Sequence, residues 1–380
     1  MTSKTVDFLV LGRGFAGTAV ALTLEKANLS YIILADEMAD SASAKAVGLV
    51  NPVTGRRMAK SWNWDEIITI SSAFYEDVYE LIFSAPGTFL LPRPIYKALF
   101  STEEMNFLSA KSSENGYGDL LEIFTMEQKP YPAIFKGMKA WTEIKTGGRL
   151  DPNFYLQSTK SFFERNGNFR NSSFKIEELI RQKDSWIYLD IEAKHIISCL
   201  GMGCPWMNDK MWPNKGQVFE IEGIPNWGNE VLKTDVFLVP TENNKIFMGS
   251  TYEREYEHEN VDEAGWNEVT KDIAPEWLSK IEVSRSWAGL RPTTKDRRPI
   301  IEKIEDNLFS VNGLGTKGAS LAPYAAKVLM EKYFNEYVKS QETKPKKLGR
   351  WIEFLTKIPM AFVFKIPEIK KVKSHLEIKN

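Results

Sequence analysis

The hydrophobic pattern opens with a buried-strand signature. Residues 5–11 read TVDFLVL, mostly apolar and closed by a glycine loop. Residues 18–27 have helical character, and 31–34 (YIIL) form a second short apolar strand. Strand, glycine loop, helix and strand in that order make the front half of a doubly wound α/β fold. Residues 41–57 are rich in small side chains and read as loop, whereas 67–83 space their apolar positions as a helix does. The stretch 91–144 alternates aromatic and charged residues and carries no nucleotide signature. GGRLDP at 147–152 leads into a helix over 153–166, and strand-like runs follow at 186–189 and 195–200. Residues 236–240 and 245–250 read as paired strands about a turn at Glu242-Asn243-Asn244. Residues 308–311 form another strand, followed by a glycine loop and a helix over 320–333, and no internal repeat is present.

Composition adds domain number and compartment. A chain of 380 residues exceeds what one core usually covers, so two domains are expected. No run approaches the roughly 20 apolar residues of a membrane span. The first residues pass straight into a strand rather than through a signal peptide, so a cytoplasmic location is expected. Cys199 and Cys204 are too few for a disulfide framework or a common zinc site, and no metal is expected. The net charge of −1 is uneven: residues 339–380 hold 11 Lys/Arg against 4 Asp/Glu, leaving a body of about −8. An acidic body disfavours a broad nucleic-acid surface. Lys344-Pro345-Lys346-Lys347 reads as a linker. Beyond it Trp351, Phe354, Leu355, Phe362, Val363 and Phe364 lie among lysines. That basic tail reads either as docked on the body or as a contact with a membrane surface or partner.

The chemistry begins at Gly12-Arg13-Gly14-Phe15-Ala16-Gly17, a GxGxxG after a strand and at the start of a helix. The first glycine permits the tight turn and the second lets backbone approach a pyrophosphate. The third lets helix and strand pack closely, and the helix N-terminus offers N–H groups to the phosphates. Asp36 follows the second strand, with Glu37 beside it, where an acid bonds a ribose hydroxyl; this favours FAD or NAD over NADP. A second glycine loop, Asn312-Gly313-Leu314-Gly315-Thr316-Lys317-Gly318, stands some 300 residues later. A helix start placed at a flavin ring stabilises the negative charge that a hydride brings, and Lys317 adds to it. None of His195, His258 and His375 lies in these motifs.

The ordered set FLVLGRGFAG, GGRLDP, IISCLG, NKGQVFEIEG, FLVPTENNKIFMGSTYE, WAGLRPTTKDRRPII and LFSVNGLGTKGASLAP resembles the D-amino-acid oxidase-like FAD family over most of the chain. That resemblance implies a glutathione-reductase-like FAD-binding domain from residues 1–85, 146–212 and 285–338. A discontinuous α+β substrate domain with an antiparallel sheet would come from 86–145 and 213–284, and 339–380 would form the basic tail. FAD would be held non-covalently, since no cysteine stands where sarcosine oxidases attach it. Gly12, Gly14, Phe15, Ala16 and Gly17 would hold the pyrophosphate, with Asp36 and Glu37 at the ribose. Ser43 and Gly48 would lie on the loop passing the flavin, Ile176 at adenine, and Gly201 would close the site. Gly313, Leu314, Gly315, Thr316, Lys317 and Gly318 would meet the ring. Arg291 would hold a substrate carboxylate bidentately, with Phe237, Tyr252 and Arg56 at the substrate and Lys317 as a catalytic cation. The implied reaction oxidises the C–N bond of an amino acid or secondary amine, passing electrons to O2 or another acceptor.

Several positions depart from the family pattern. Ala35 occupies the family's acidic position, one residue before Asp36. Phe237 replaces a substrate-binding tyrosine of glycine oxidases, and Thr316 their second arginine. Phe247 replaces a sarcosine oxidase lysine, which leaves oxidase and dehydrogenase both open. GLVNPVTG, TYERE and GLGTKG are similar to the FAD half of the bifunctional enzyme that modifies a wobble uridine in tRNA. Two alternatives therefore stand beside the first: an oxidase acting on a carboxymethylaminomethyl-uridine in tRNA, and a flavin-binding accessory protein with little turnover.

Overall fold

The computed structural model describes residues 4–341, apart from 37–40, 56, 129–130, 132, 208, 226 and 242–243. The tail beyond residue 341, Glu37, Arg56 and two of the three expected turn residues, Glu242 and Asn243, lie outside the described residues.

The chain is a mixed α/β molecule built on two eight-stranded sheets. In the first, Lys4–Leu11 runs parallel between Tyr31–Ala35 and Ile191–Ser198. Phe169–Asn171 extends one side, and Leu308–Asn312 pairs in parallel with the last part of Ile191–Ser198. Phe8, Leu9, Val10 and Leu11 are wholly buried, as a strand covered on both faces requires. Val10 packs with Val20 and Leu24 of the helix Phe15–Lys26 on one face, while Leu9 and Leu11 pack with Tyr188 and Leu308 on the other. That helix starts at Phe15 rather than 18, because the glycine loop is itself the turn into the helix and Gly17 falls inside its first turn.

The last helix also departs from expectation. It runs from Gly318 to Gln341, with a π-helical turn at Met330–Phe334. Pro323 within it has no N–H for the carbonyl of Ala319. Tyr75 supplies the missing donor from the helix Trp64–Phe83, at 2.6 Å, and Ser71 donates to the neighbouring carbonyl of Ser320 at 2.6 Å. Among the described residues no helix is long and apolar enough to cross a membrane.

His195 sits in the first sheet against Phe8 and Phe334, with ring centroids 5.1 Å from each. Burial holds its imidazole down to about 4, with Lys194 adding to the effect and Asn307 and Asp7 opposing it. Between pH 4 and 6.5 the unfolded chain therefore binds a proton at this site that the folded chain refuses, so stability falls as pH drops through that window. In His195→Phe the decline of the melting temperature from pH 7 to pH 4.5 becomes shallower; an unchanged slope would assign the acid lability elsewhere.

The second sheet orders its strands Glu282–Thr293, Trp212–Glu222, Ile246–Gly249, Phe237–Pro240, Val231–Lys233, Ile95–Leu99, Ala140–Ile144, Leu121–Thr125. Every pairing is antiparallel except Val231–Lys233 with Ile95–Leu99. The described residues of the stretch 91–144, which carried no nucleotide signature, thus supply three strands of this sheet and the helix Thr102–Ser112. Its pattern was unreadable because Ile95–Leu99 is buried at every position and so cannot alternate. Glu282–Thr293 pairs along its length with Trp212–Glu222, so a domain boundary at 285 would cut an intact element of this sheet.

Candidate cofactor and substrate site

The first glycine loop is built for close approach. Gly12 has φ +94°, and a Cβ there would meet the Cys199 carbonyl oxygen at 2.6 Å. Gly14 caps the helix without a side-chain bond, and the first turn holds no acidic residue. The positive helix end is therefore not neutralised by its own turn. Ser43 Oγ accepts the Phe15 N–H at 3.0 Å, which places the 41–48 segment at the helix start beside Ala16 and Gly17. A Cβ on Gly14 would reach Ser43 Oγ at 2.9 Å. Gly48 lies against residue 150, whose N–H donates to its carbonyl at 3.0 Å. At the far end of the second strand, Asp36 is exposed and accepts a bond from Ser173 at 2.8 Å. Ile176, 45% exposed, occupies the short turn just beyond.

The second glycine loop meets the first. A Cβ on Gly318 would strike the Phe15 ring at 2.8 Å. The two helix starts, remote in sequence, thus converge. Gly201 is joined to the same place through its carbonyl, which accepts from Asn312 at 3.0 Å. Gly313, Leu314, Gly315, Thr316 and Lys317 line a cleft with Thr54, Tyr252 and Thr293. Lys317 Nζ donates to Ser61 Oγ at 2.9 Å. Burial, helped by the Arg297 charge, lowers its pKa from the ordinary lysine value.

Arg291 lies on the strand Glu282–Thr293, two residues before Thr293 of the cleft lining. Its Nη1 donates to Asn214 Oδ1 at 2.9 Å and to the carbonyls of Thr251 at 3.2 Å and Lys215 at 3.4 Å. Nη2 donates to Ser250 Oγ at 2.7 Å. Burial brings this guanidinium down to about 10, against the pull of Tyr252 and Glu253. The fork lies flat over Gly216, where a Cβ would fall 1.8 Å from Nη2. A glycine inside a strand signals such an approach, and Gly216 in NKGQ is the readable hint to this cradle. Asn214, Ser250 and Thr251 carried no such signal. Phe237 is half-buried in the neighbouring part of the sheet, and Tyr252 is 44% exposed over the cleft.

The segment bearing Tyr252 is fixed from the opposite face of the sheet. Lys215, 1% exposed, reaches Asp262 at 2.6 Å and Glu253 at 3.4 Å. Gln217 donates to both carboxylates, at 2.9 and 3.0 Å, and Thr251 bonds Glu253. Desolvation pulls the Lys215 amine down, but the two carboxylates outweigh it and raise its pKa. Lys215→Met leaves them facing each other without their cation. We expect a loss of about 3–5 kcal/mol in urea unfolding. Lys215→Arg keeps most of the stability, and a methionine variant as stable as wild type would remove the network from the fold's support.

A parallel sheet with a glycine turn into an uncapped helix, met by a second glycine loop, defines a dinucleotide-binding flavoprotein fold. The chain belongs to the FAD dependent oxidoreductase family, which it matches over residues 7–332. It is therefore an FAD-dependent enzyme of the D-amino-acid oxidase type. It is 21% identical to glycine oxidase of Bacillus subtilis over 369 residues, covering 87% of this chain and 94% of that one. It is 26% identical to a tRNA 5-methylaminomethyl-2-thiouridine biosynthesis bifunctional protein of Maricaulis maris over 145 residues. That match spans 36% of this chain and 23% of the relative. The crystal structure of glycine oxidase from Geobacillus kaustophilus superposes with a TM-score of 0.72 at 16% identity, covering 91% of this chain and 96% of that one.

Proposed function

We propose that this chain oxidises the C–N bond of an amine that carries a carboxylate next to the reacting carbon. The observation that carries the reading is Arg291. Among the described residues its buried guanidinium has neutral acceptors and no ion pair. A desolvated cation with no carboxylate in direct contact is matched by an anionic ligand. Nη2 makes one bond, to Ser250, and keeps a hydrogen for a carboxylate oxygen.

Residues of both glycine loops would hold the cofactor: the Gly12–Gly17 turn at the diphosphate, the 313–318 loop at the ring, with Ser43 and Gly48 between. Bound there, FAD supplies a two-electron acceptor. The chain's own part is position and electrostatics. Arg291 anchors the carboxylate, Tyr252 closes one side of the cleft, and Lys317 with the helix start behind it favours negative charge at the cleft floor. The substrate amine must be neutral to lose hydride, and among the described residues no histidine lines the cleft to take its proton.

The test is anaerobic mixing of the holoenzyme with glycine, sarcosine, D-amino acids and proline, watching flavin absorbance bleach. Bleaching by free acids and none by their methyl esters or deamino analogues is the expected result. Equal bleaching by the esters would remove the carboxylate from the reading.

A second reading, oxidation of a carboxymethylaminomethyl group on tRNA, is favoured by the cleft mouth. Tyr252 and Arg297 line the cleft, and exposed Trp62, next to the Ser61 that bonds Lys317, has Arg298 5.1 Å over its ring. Stacking surfaces with cations suit nucleobases and phosphates. tRNA affinity that falls steeply with salt would support this reading, and no measurable binding at low salt would end it.

A further inference from the structure

One row crosses the second sheet as Trp287, Val218, Gly249, Phe237, Lys233, Lys97 and Thr142. Side chains in a row share a face. Val218 packs in a cluster with Val47 and Val53, against which Phe237 and Trp287 also rest. The row therefore looks toward the 47–54 segment, whose Thr54 lines the cleft. Lys97 and Lys233 stand side by side on that face.

Like charges in register destabilise a sheet. Lys97 is 8% exposed, and its partner Glu104 stands 3.9 Å away, beyond hydrogen-bond range. Lys233 is half-buried, and its ammonium makes no hydrogen bond or ion pair among the described residues. Burial pushes its amine down to about 8, with Lys97 adding to the effect and Asp235 opposing it. An oxyanion lodged between the two amines would relieve both the repulsion and the missing bonds. Arg291 is close enough to share a ligand. Its Nη2 bonds Ser250, next to Gly249 of this row, and Lys233 lies two strands further, roughly 10 Å across the sheet.

We propose that Lys97 and Lys233 form a second anion subsite, which takes a distal carboxylate or phosphate of the amine substrate. This rests on the reading of Arg291 as the holder of the first carboxylate. It narrows the substrate class to amines with two acidic groups.

The experiment compares molecules that differ in the distal charge: glutamate against glutamine in both enantiomers, and iminodiacetate against sarcosine. Apparent Kd is read from anaerobic flavin reduction of the holoenzyme. We expect the dianion of at least one pair to bind about tenfold or more tightly than its partner, a difference of about 1.4 kcal/mol. In Lys233→Met that ratio falls to within about twofold, whereas Arg291→Ala weakens both members together and keeps the ratio. A wild-type ratio near one, or a ratio that survives Lys233→Met, overturns the subsite.

A melting series makes the result independent of turnover. Glutarate and inorganic phosphate, titrated at fixed ionic strength, should each raise the melting temperature of wild type and not of Lys233→Met. Without anion, Lys233→Met should melt higher than wild type, since the repulsion is gone. Should no amine bleach the flavin, the Arg291 reading fails, and this series still decides whether the lysines bind an anion. A response to phosphate without any preference for dianionic amines refutes the substrate role and leaves a site for free phosphate. No response to either anion refutes the site.

Discussion

Replacing Gly17 by alanine gives a colourless protein. The new Cβ would lie 1.8 Å from the Gly12 carbonyl oxygen and 3.3 Å from the Cys199 Cβ. The first obstacle is backbone in a glycine turn, pinned from behind by the end of Ile191–Ser198, so it has no rotamer by which to withdraw. The helix must lift off the strand by more than an ångström, and its N–H groups leave the position where they meet a diphosphate. FAD affinity should fall at least about 100-fold, near 3 kcal/mol. The measurement is the visible absorbance of the purified protein and its recovery on adding FAD. Stoichiometric flavin in Gly17→Ala would refute this account of the loop.

Arg291→Ala keeps its flavin and loses its grip on substrate. Truncating one partner of a buried, hydrogen-bonded charge pair costs about 2–5 kcal/mol, so apparent Kd should rise by roughly 30-fold to several thousand-fold. Arg291→Lys restores little, because an ammonium cannot span Asn214, Ser250 and a carboxylate together. Gly216→Ala moves in the same direction without touching the arginine's charge, since its methyl would displace Nη2. Titrations of flavin bleaching read all three variants. An apparent Kd within twofold of wild type in Arg291→Ala would send the carboxylate elsewhere.

How legible these features were depends on where the information sits. The turn at Gly12–Gly17 was readable because a short, local run must satisfy one geometry. Lys4–Leu11 and Leu308–Asn312 were readable because strands buried on both faces are mostly apolar and do not alternate with polar residues. Convergence of the two glycine loops followed only from the resemblance, since no local rule brings Phe15 to Gly318. The Arg291 cradle drew on Asn214, Ser250 and Thr251, ordinary residues that matter because the sheet sets Asn214 opposite Arg291 and brings the end of strand 246–249 alongside. The lysine row was hidden for the same reason: Lys97 and Lys233 are 136 positions apart in the sequence and adjacent only in the sheet.

The placement of Lys4–Leu11 governs how the molecule comes into being on the ribosome. It is an interior strand, but one of its neighbours, Ile191–Ser198, is synthesised some 180 residues later, and the partner of that neighbour begins at Leu308. A half-made chain holds an apolar strand with an open edge while those residues are made, a time of roughly 10 to 40 s at ordinary elongation rates. Folding is correspondingly late and non-local. Shielding of the nascent edge, by a chaperone or by slow collapse of the early helices, then decides the yield of active enzyme, and truncation before residue 308 gives a product prone to aggregate.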